Sequence, residues 1–135
     1  MSKMKLIEEI KLDNGLDLRI FDLSRSIATD TVKVEVSFQT NVLLKESFFT
    51  STEDYRLVKN IMGDELAYEH TMERTFVSKD NEDSTRNELI STFKHNSLGY
   101  LSAANFAQKM ALSKLREIKS NPHKYRSHAQ SDKKA

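Results

Sequence analysis

The chain has 135 residues and a mass of 15.6 kDa, the length of one ordinary domain, and its 21 basic and 20 acidic side chains leave a net charge of +1. With no cysteine it can make no disulfide, thiolate metal site or cysteine nucleophile, and with only 3 glycines it has no Gly-rich phosphate loop. No apolar run is long enough for a signal peptide or a membrane span, so a cytoplasmic location and no membrane contact are expected.

Residues 4–12 and 16–23 flank Asp13-Asn14-Gly15. Asn-Gly favours a type I′ turn, whose two central residues both need positive φ, so a β-hairpin is predicted. Residues 24–30 read as a loop. Val32, Val34, Val36 and Phe38 then alternate with Lys33, Glu35, Ser37 and Gln39, the pattern of a half-buried strand with one wet face. Val42-Leu43-Leu44 is its candidate extension.

Thr50-Ser51-Thr52-Glu53 fits a capping box that opens a short helix, with Tyr55, Leu57, Val58, Ile61 and Met62 apolar and Gly63 as its stop. Residues 65–78 read as a long strand, and 79–83 as a polar loop. A helix follows over about Ser84 to His95, with Leu89, Ile90 and Phe93 on one side and Asn96 as its C-cap. Leu101-Ser102 opens the last helix, with Ser102 as N-cap and Leu101 and Phe106 as a hydrophobic staple. Its apolar arc is wide and includes Ala103, Ala107, Met110, Ala111, Leu115 and Ile118. Two readings fit that arc: a helix sandwiched in the core, or a dimer seam along the alanines. Pro122 ends the helix near Ser120.

The order β-β-β-α-β-α-α predicts an α+β fold: a four-stranded, mainly antiparallel sheet with helices packed on one face. Residues 1–122 form the expected single domain, and 123–135 a basic, frayed or disordered tail.

Three groups of residues bear on function. Tyr68, His70 and Arg74 share the even-numbered face of the 65–78 strand with Leu66, Met72 and Phe76. An enclosed guanidinium needs a carboxylate or an anionic ligand, so these three are ligand-binding candidates for a small anion. The alternative is a structural ion pair, for which Asp22 is the expected partner, or an edge strand open to water. Glu65, Glu69 and Glu73 lie on the opposite face, about 13 Å apart per step, too far for a carboxylate dyad. A solvated face paired with Lys33 is expected there. Basic residues concentrate at the end: residues 109–135 carry 8 basic and 2 acidic groups against 13 and 18 in residues 1–108. Arg116, Lys119, Lys124 and Arg126, with Tyr125 among them, are the candidates for contact with nucleic acid, by phosphate clamping and base stacking. The alternative is a solvated helix end. His70, His95, His123 and His128 have no metal-ligand spacing, and no nucleophile arrangement is present, so neither metal nor cofactor is expected.

Met62-Gly63-Asp64-Glu65, Glu73-Arg74-Thr75-Phe76-Val77 and Asn96-Ser97-Leu98-Gly99-Tyr100-Leu101-Ser102, together with Leu16-Asp17-Leu18 through Asp22-Leu23-Ser24, resemble stretches of a small family of uncharacterised bacterial proteins. The resemblance covers most of residues 4–120. It implies a stand-alone bacterial domain and carries over no activity. The expected function is a small non-catalytic interaction or accessory module, self-associating as a homodimer or binding another protein. A small anionic-ligand domain or minor enzyme is the first alternative, and weak nucleic-acid binding through the basic end is the second.

Overall fold

The computed structural model describes residues 4–125. Their class is α+β. The chain runs through β1 (Lys5–Lys11), β2 (Asp17–Asp22), β3 (Arg25–Ala28), β4 (Thr31–Leu43), α1 (Thr52–Met62), β5 (Glu65–Ser78), α2 (Glu82–Ser102) and α3 (Phe106–Ser120). These elements fall into two compact units. One takes the residues up to Thr40 with Ala67–Ala103, and the other takes Asn41–Leu66 with the residues after Ala103.

In the first unit the hairpin forms, with a different turn. Gly15 has φ 92°, but Asn14 is not among the positive-φ residues, so the expected type I′ geometry is replaced by a three-residue loop. Leu12 N–H donates to Leu16 O (2.8 Å) and Gly15 N–H to Leu12 O (2.9 Å). The reason lies in the Asn14 side chain. Its Oδ1 accepts from Leu16 N–H (3.1 Å), while its Nδ2 donates to Leu101 O (2.7 Å) and Ala103 O (2.9 Å) at the far end of α2.

The 24–30 segment is a strand in part rather than a loop. β2 and β3 pair antiparallel with β4 on one register, Asp22 opposite Val36 and Arg25 opposite Lys33, so they are two pieces of one bent strand. Leu23 N–H donates to Glu35 O (2.8 Å) at the bend, and Ser24 Oγ accepts from Glu35 N–H (3.1 Å). All four β3 residues are exposed, which explains why no alternation marks them. The spatial order is therefore β1, then β2 with β3, then β4, then β5. Glu69 reaches Ser37 and Glu73 reaches Lys33, so β5 runs antiparallel to β4.

The alternation in β4 maps directly onto burial. Val32 is 3% exposed, and Val34, Val36 and Phe38 are fully buried. α2 lies against this face: Phe93 stacks on Phe38 with centroids 3.7 Å apart, and Lys94 Nζ meets Glu8 Oε2 at 2.9 Å. α2 does not stop near His95. It continues through Asn96 and Gly99 to Ser102, because burial of Leu101 and the Asn14 bonds to its last carbonyls outweigh a propensity cost of about 1 kcal/mol at Gly99. Ser102 thus ends α2 instead of capping α3, whose N-terminal flanking residue is Asn105.

In the second unit, the Ser51 hydroxyl accepts from Asp54 N–H (3.1 Å) at the start of α1, and Gly63 ends that helix with φ 89°. α3 buries Phe106, Ala111, Leu115 and Ile118, which accounts for much of its apolar arc inside the molecule. A further helical turn covers 122–125 and buries Tyr125; residues 126–135 of the expected tail lie outside the described residues.

Candidate functional site

β5 is the element that carries the ligand-binding candidates. It is 14 residues long, it pairs with β4 on one side, and no strand among the described residues pairs with its other side. Tyr68 is half-buried, whereas His70 and Arg74 are exposed. Burial pushes the Tyr68 phenol above its ordinary pKa, and nearby Tyr100 adds to the shift. His70 lies over Phe93 with ring centroids 5.8 Å apart. Arg74 meets Glu88 of α2 at 3.1 Å, an exposed pair, and not Asp22.

Asp22 belongs to a different cation. Arg86 of α2, with only 14% of its side chain exposed, sits among three carboxylates. Its Nε lies 3.2 Å from Asp22 Oδ2, an ion pair without hydrogen-bond alignment, and its terminal nitrogens bond Asp83 (2.9 Å) and Glu82. Burial works against the Arg86 charge, but Asp22 and then Glu82 and Asp83 outweigh it and raise its pKa further. Arg86 was legible only in part. Its spacing from Glu82 and Asp83 is the usual helical ion-pair spacing, but nothing local points across to Asp22.

The opposite face of β5 is polar and occupied. Glu73 pairs with Lys33 (2.9 Å), as its face suggested, and Lys33 also lies 3.6 Å from Glu35. Glu69 Oε2 accepts from Ser37 Oγ and from Gln39 Nε2, both at 3.1 Å. Lys33 thus neutralises Glu73, while Glu69 keeps its charge against two neutral donors, and no further strand among the described residues pairs with the outer edge of β5.

Phe76 is the feature that the sequence did not reveal. Its side chain is 82% exposed and its backbone has φ 56°, the one non-glycine positive φ among the described residues. A bulky residue in that region is strained by about 1–3 kcal/mol. Alternation alone assigns Phe76 to the face of Met72 and Arg74, and no residue type nearby signals the departure.

Three lysines of the basic end have carboxylate partners among the described residues. Lys119 pairs with Asp54 (3.2 Å), and Glu117 takes Lys114 (3.7 Å) and Lys124 (3.8 Å). Tyr125 donates its hydroxyl to Glu117 (2.9 Å) and is 9% exposed, so its ring is not available to stack a base. The Tyr125 bond, followed by the charge of Lys114, holds the Glu117 carboxyl below its ordinary pKa. Arg116 is exposed. Arg126, the fourth candidate there, lies outside the described residues.

No group of three or more histidine or acidic side chains among the described residues could hold a metal ion. No helix among them is long and apolar enough to cross a membrane. Compared with family models, curated proteins and solved structures, the chain matches none.

Proposed function

We propose that the protein is a non-catalytic interaction module that receives an extended strand of a protein partner along the outer edge of β5. The observation that carries this reading is the outer edge of the 14-residue β5, unpaired by any other strand among the described residues and carrying a strained, 82% exposed Phe76 near its end. Such an edge offers a row of backbone donors and acceptors that a second strand satisfies. An exposed aromatic beside it supplies the kind of anchor that dominates interface energetics. The anionic-ligand reading of Tyr68, His70 and Arg74 loses support, because Glu88 already answers the Arg74 charge in the open. The nucleic-acid reading loses support from the carboxylates that hold Lys119 and Lys124.

A panel of extended peptides, selected for binding to the immobilised protein, tests the reading. Bound peptides are expected to shift backbone amide resonances along β5 and to lose binding on Phe76→Asp. Shifts confined to other elements, or a monomer that selects no extended peptide, would overturn it.

A further inference from the structure

We propose that Asn14–Gly15 is a site of spontaneous deamidation that the C-terminal end of α2 holds shut, and that it opens only when this end of the helix releases the hairpin loop.

Asn14 is the one asparagine of the chain that a glycine follows. Glycine carries no Cβ, so its backbone nitrogen approaches the preceding side chain without hindrance. Once that nitrogen gives up its proton to hydroxide or a buffer base, it attacks the Asn14 Cγ. The new C–N bond closes a five-membered succinimide, the Cγ–Nδ2 bond breaks, and the nitrogen leaves as ammonia with a proton taken from water. Water then opens the ring at either carbonyl, which leaves an aspartyl or an isoaspartyl residue at position 14. Nothing is oxidised or reduced, and water is the only other reactant consumed.

In the folded chain each group that must move is held. Gly15 N–H donates to Leu12 O (2.9 Å), which keeps its proton in place. Asn14 Nδ2 donates to Leu101 O (2.7 Å) and Ala103 O (2.9 Å), and its Oδ1 accepts from Leu16 N–H (3.1 Å), so the amide is fixed at both ends and cannot swing its carbon toward Gly15. Leu101 lies in the last turn of α2 and Ala103 is its C-cap, so two of these holds come from outside the hairpin. Helix ends open locally at low free energy. That opening precedes a far slower chemical step, so the open fraction sets the rate. The change runs one way. Ammonia is lost, and the new carboxylate at position 14 faces two carbonyl oxygens at the negative end of the helix dipole.

The full chain, incubated at one pH and temperature in buffer and in urea and then digested with trypsin, reports both rates. Cleavage after Lys11 and Arg19 releases residues 12–19, in which the amide-to-acid mass change and the isoaspartyl isomer are read. The native protein is expected to deamidate at least about 30-fold more slowly than the unfolded chain, the factor for an opening free energy of about 2 kcal/mol. Gly99→Ala firms α2 without meeting a neighbour, and should slow the native reaction a further 2–5-fold, roughly, with the rate in urea unchanged. Leu101→Ala removes a buried side chain at the same helix end and should speed the native reaction alone; Gly99→Ala keeps the test decisive if that variant fails to fold. Deamidated protein, separated by its added negative charge, should denature at a lower urea concentration than unaged protein. Equal rates in buffer and urea overturn the gate. A slow native reaction that Gly99→Ala leaves unchanged places the hold in the hairpin alone and overturns the part given to α2. Identical urea midpoints before and after deamidation overturn the one-way loss of docking.

Discussion

The side-chain amide of Asn14 satisfies backbone groups that no local contact reaches. Its two N–H donors meet Leu101 O and Ala103 O at the end of α2, and its oxygen takes Leu16 N–H inside the hairpin loop. The last carbonyls of a helix lack intrahelical partners, and the helix dipole makes that end negative. Asn14→Ala removes both donors and is expected to lower stability by about 1–2 kcal/mol. Asn14→Asp keeps the shape but turns a carboxylate toward two carbonyl oxygens, so it is expected to cost more than Asn14→Ala. Urea denaturation midpoints of the two variants compared with the unmodified protein check the order. An Asp variant as stable as the Ala variant would show that the carbonyls find other donors. Thr40 makes the opposite case: its hydroxyl is buried and has no hydrogen-bond partner.

At the scale of elements, glycine separates what is local from what is not. Gly99 lies within α2, and a Cβ added there meets nothing within 4 Å, so Gly99→Ala is expected to stabilise the protein by about 0.5–1 kcal/mol. Gly63 also has open space around it, but its φ of +89° disfavours any side chain, so Gly63→Ala is expected to destabilise by about 1 kcal/mol or more. Thermal denaturation of the two variants should give midpoints displaced in opposite directions. Gly63 was legible as a stop because it follows the last apolar position of α1. The course of α2 through Asn96 and Gly99 was not, because Leu101 and Asn14 hold it from outside the segment. β4 was legible because a period of two translates directly into one buried face. β3 was not, since Arg25–Ala28 are all exposed and carry no alternation. Among the site candidates, the Lys33 and Glu73 pairing followed from strand faces, whereas the choice of Arg86 over Arg74 by Asp22 depended on where α2 crosses the sheet.

At the scale of the whole molecule, the organisation of the sheet decides where association can occur. Open edges invite pairing, and proteins that stay monomeric blunt them with inward charges, prolines or a covering segment. β5 has no proline, its Glu69 and Glu73 carboxylates are held by side chains of β4, and Phe76 near its end is exposed. A chain that pairs through this edge ties its folding to its concentration, since anything that binds the folded form alone stabilises it by mass action. For two chains of this length unfolding together, the thermal midpoint should rise by roughly 2 °C for each tenfold increase in protein concentration. Phe76→Asp places a charge at the exposed end of the edge and should leave the midpoint flat over the same range. Calorimetry or circular dichroism across two decades of concentration distinguishes the two behaviours. Equal slopes for the unmodified protein and the Asp variant would place any association on a surface other than β5, and two flat profiles would mean that the edge stays open in a stable monomer.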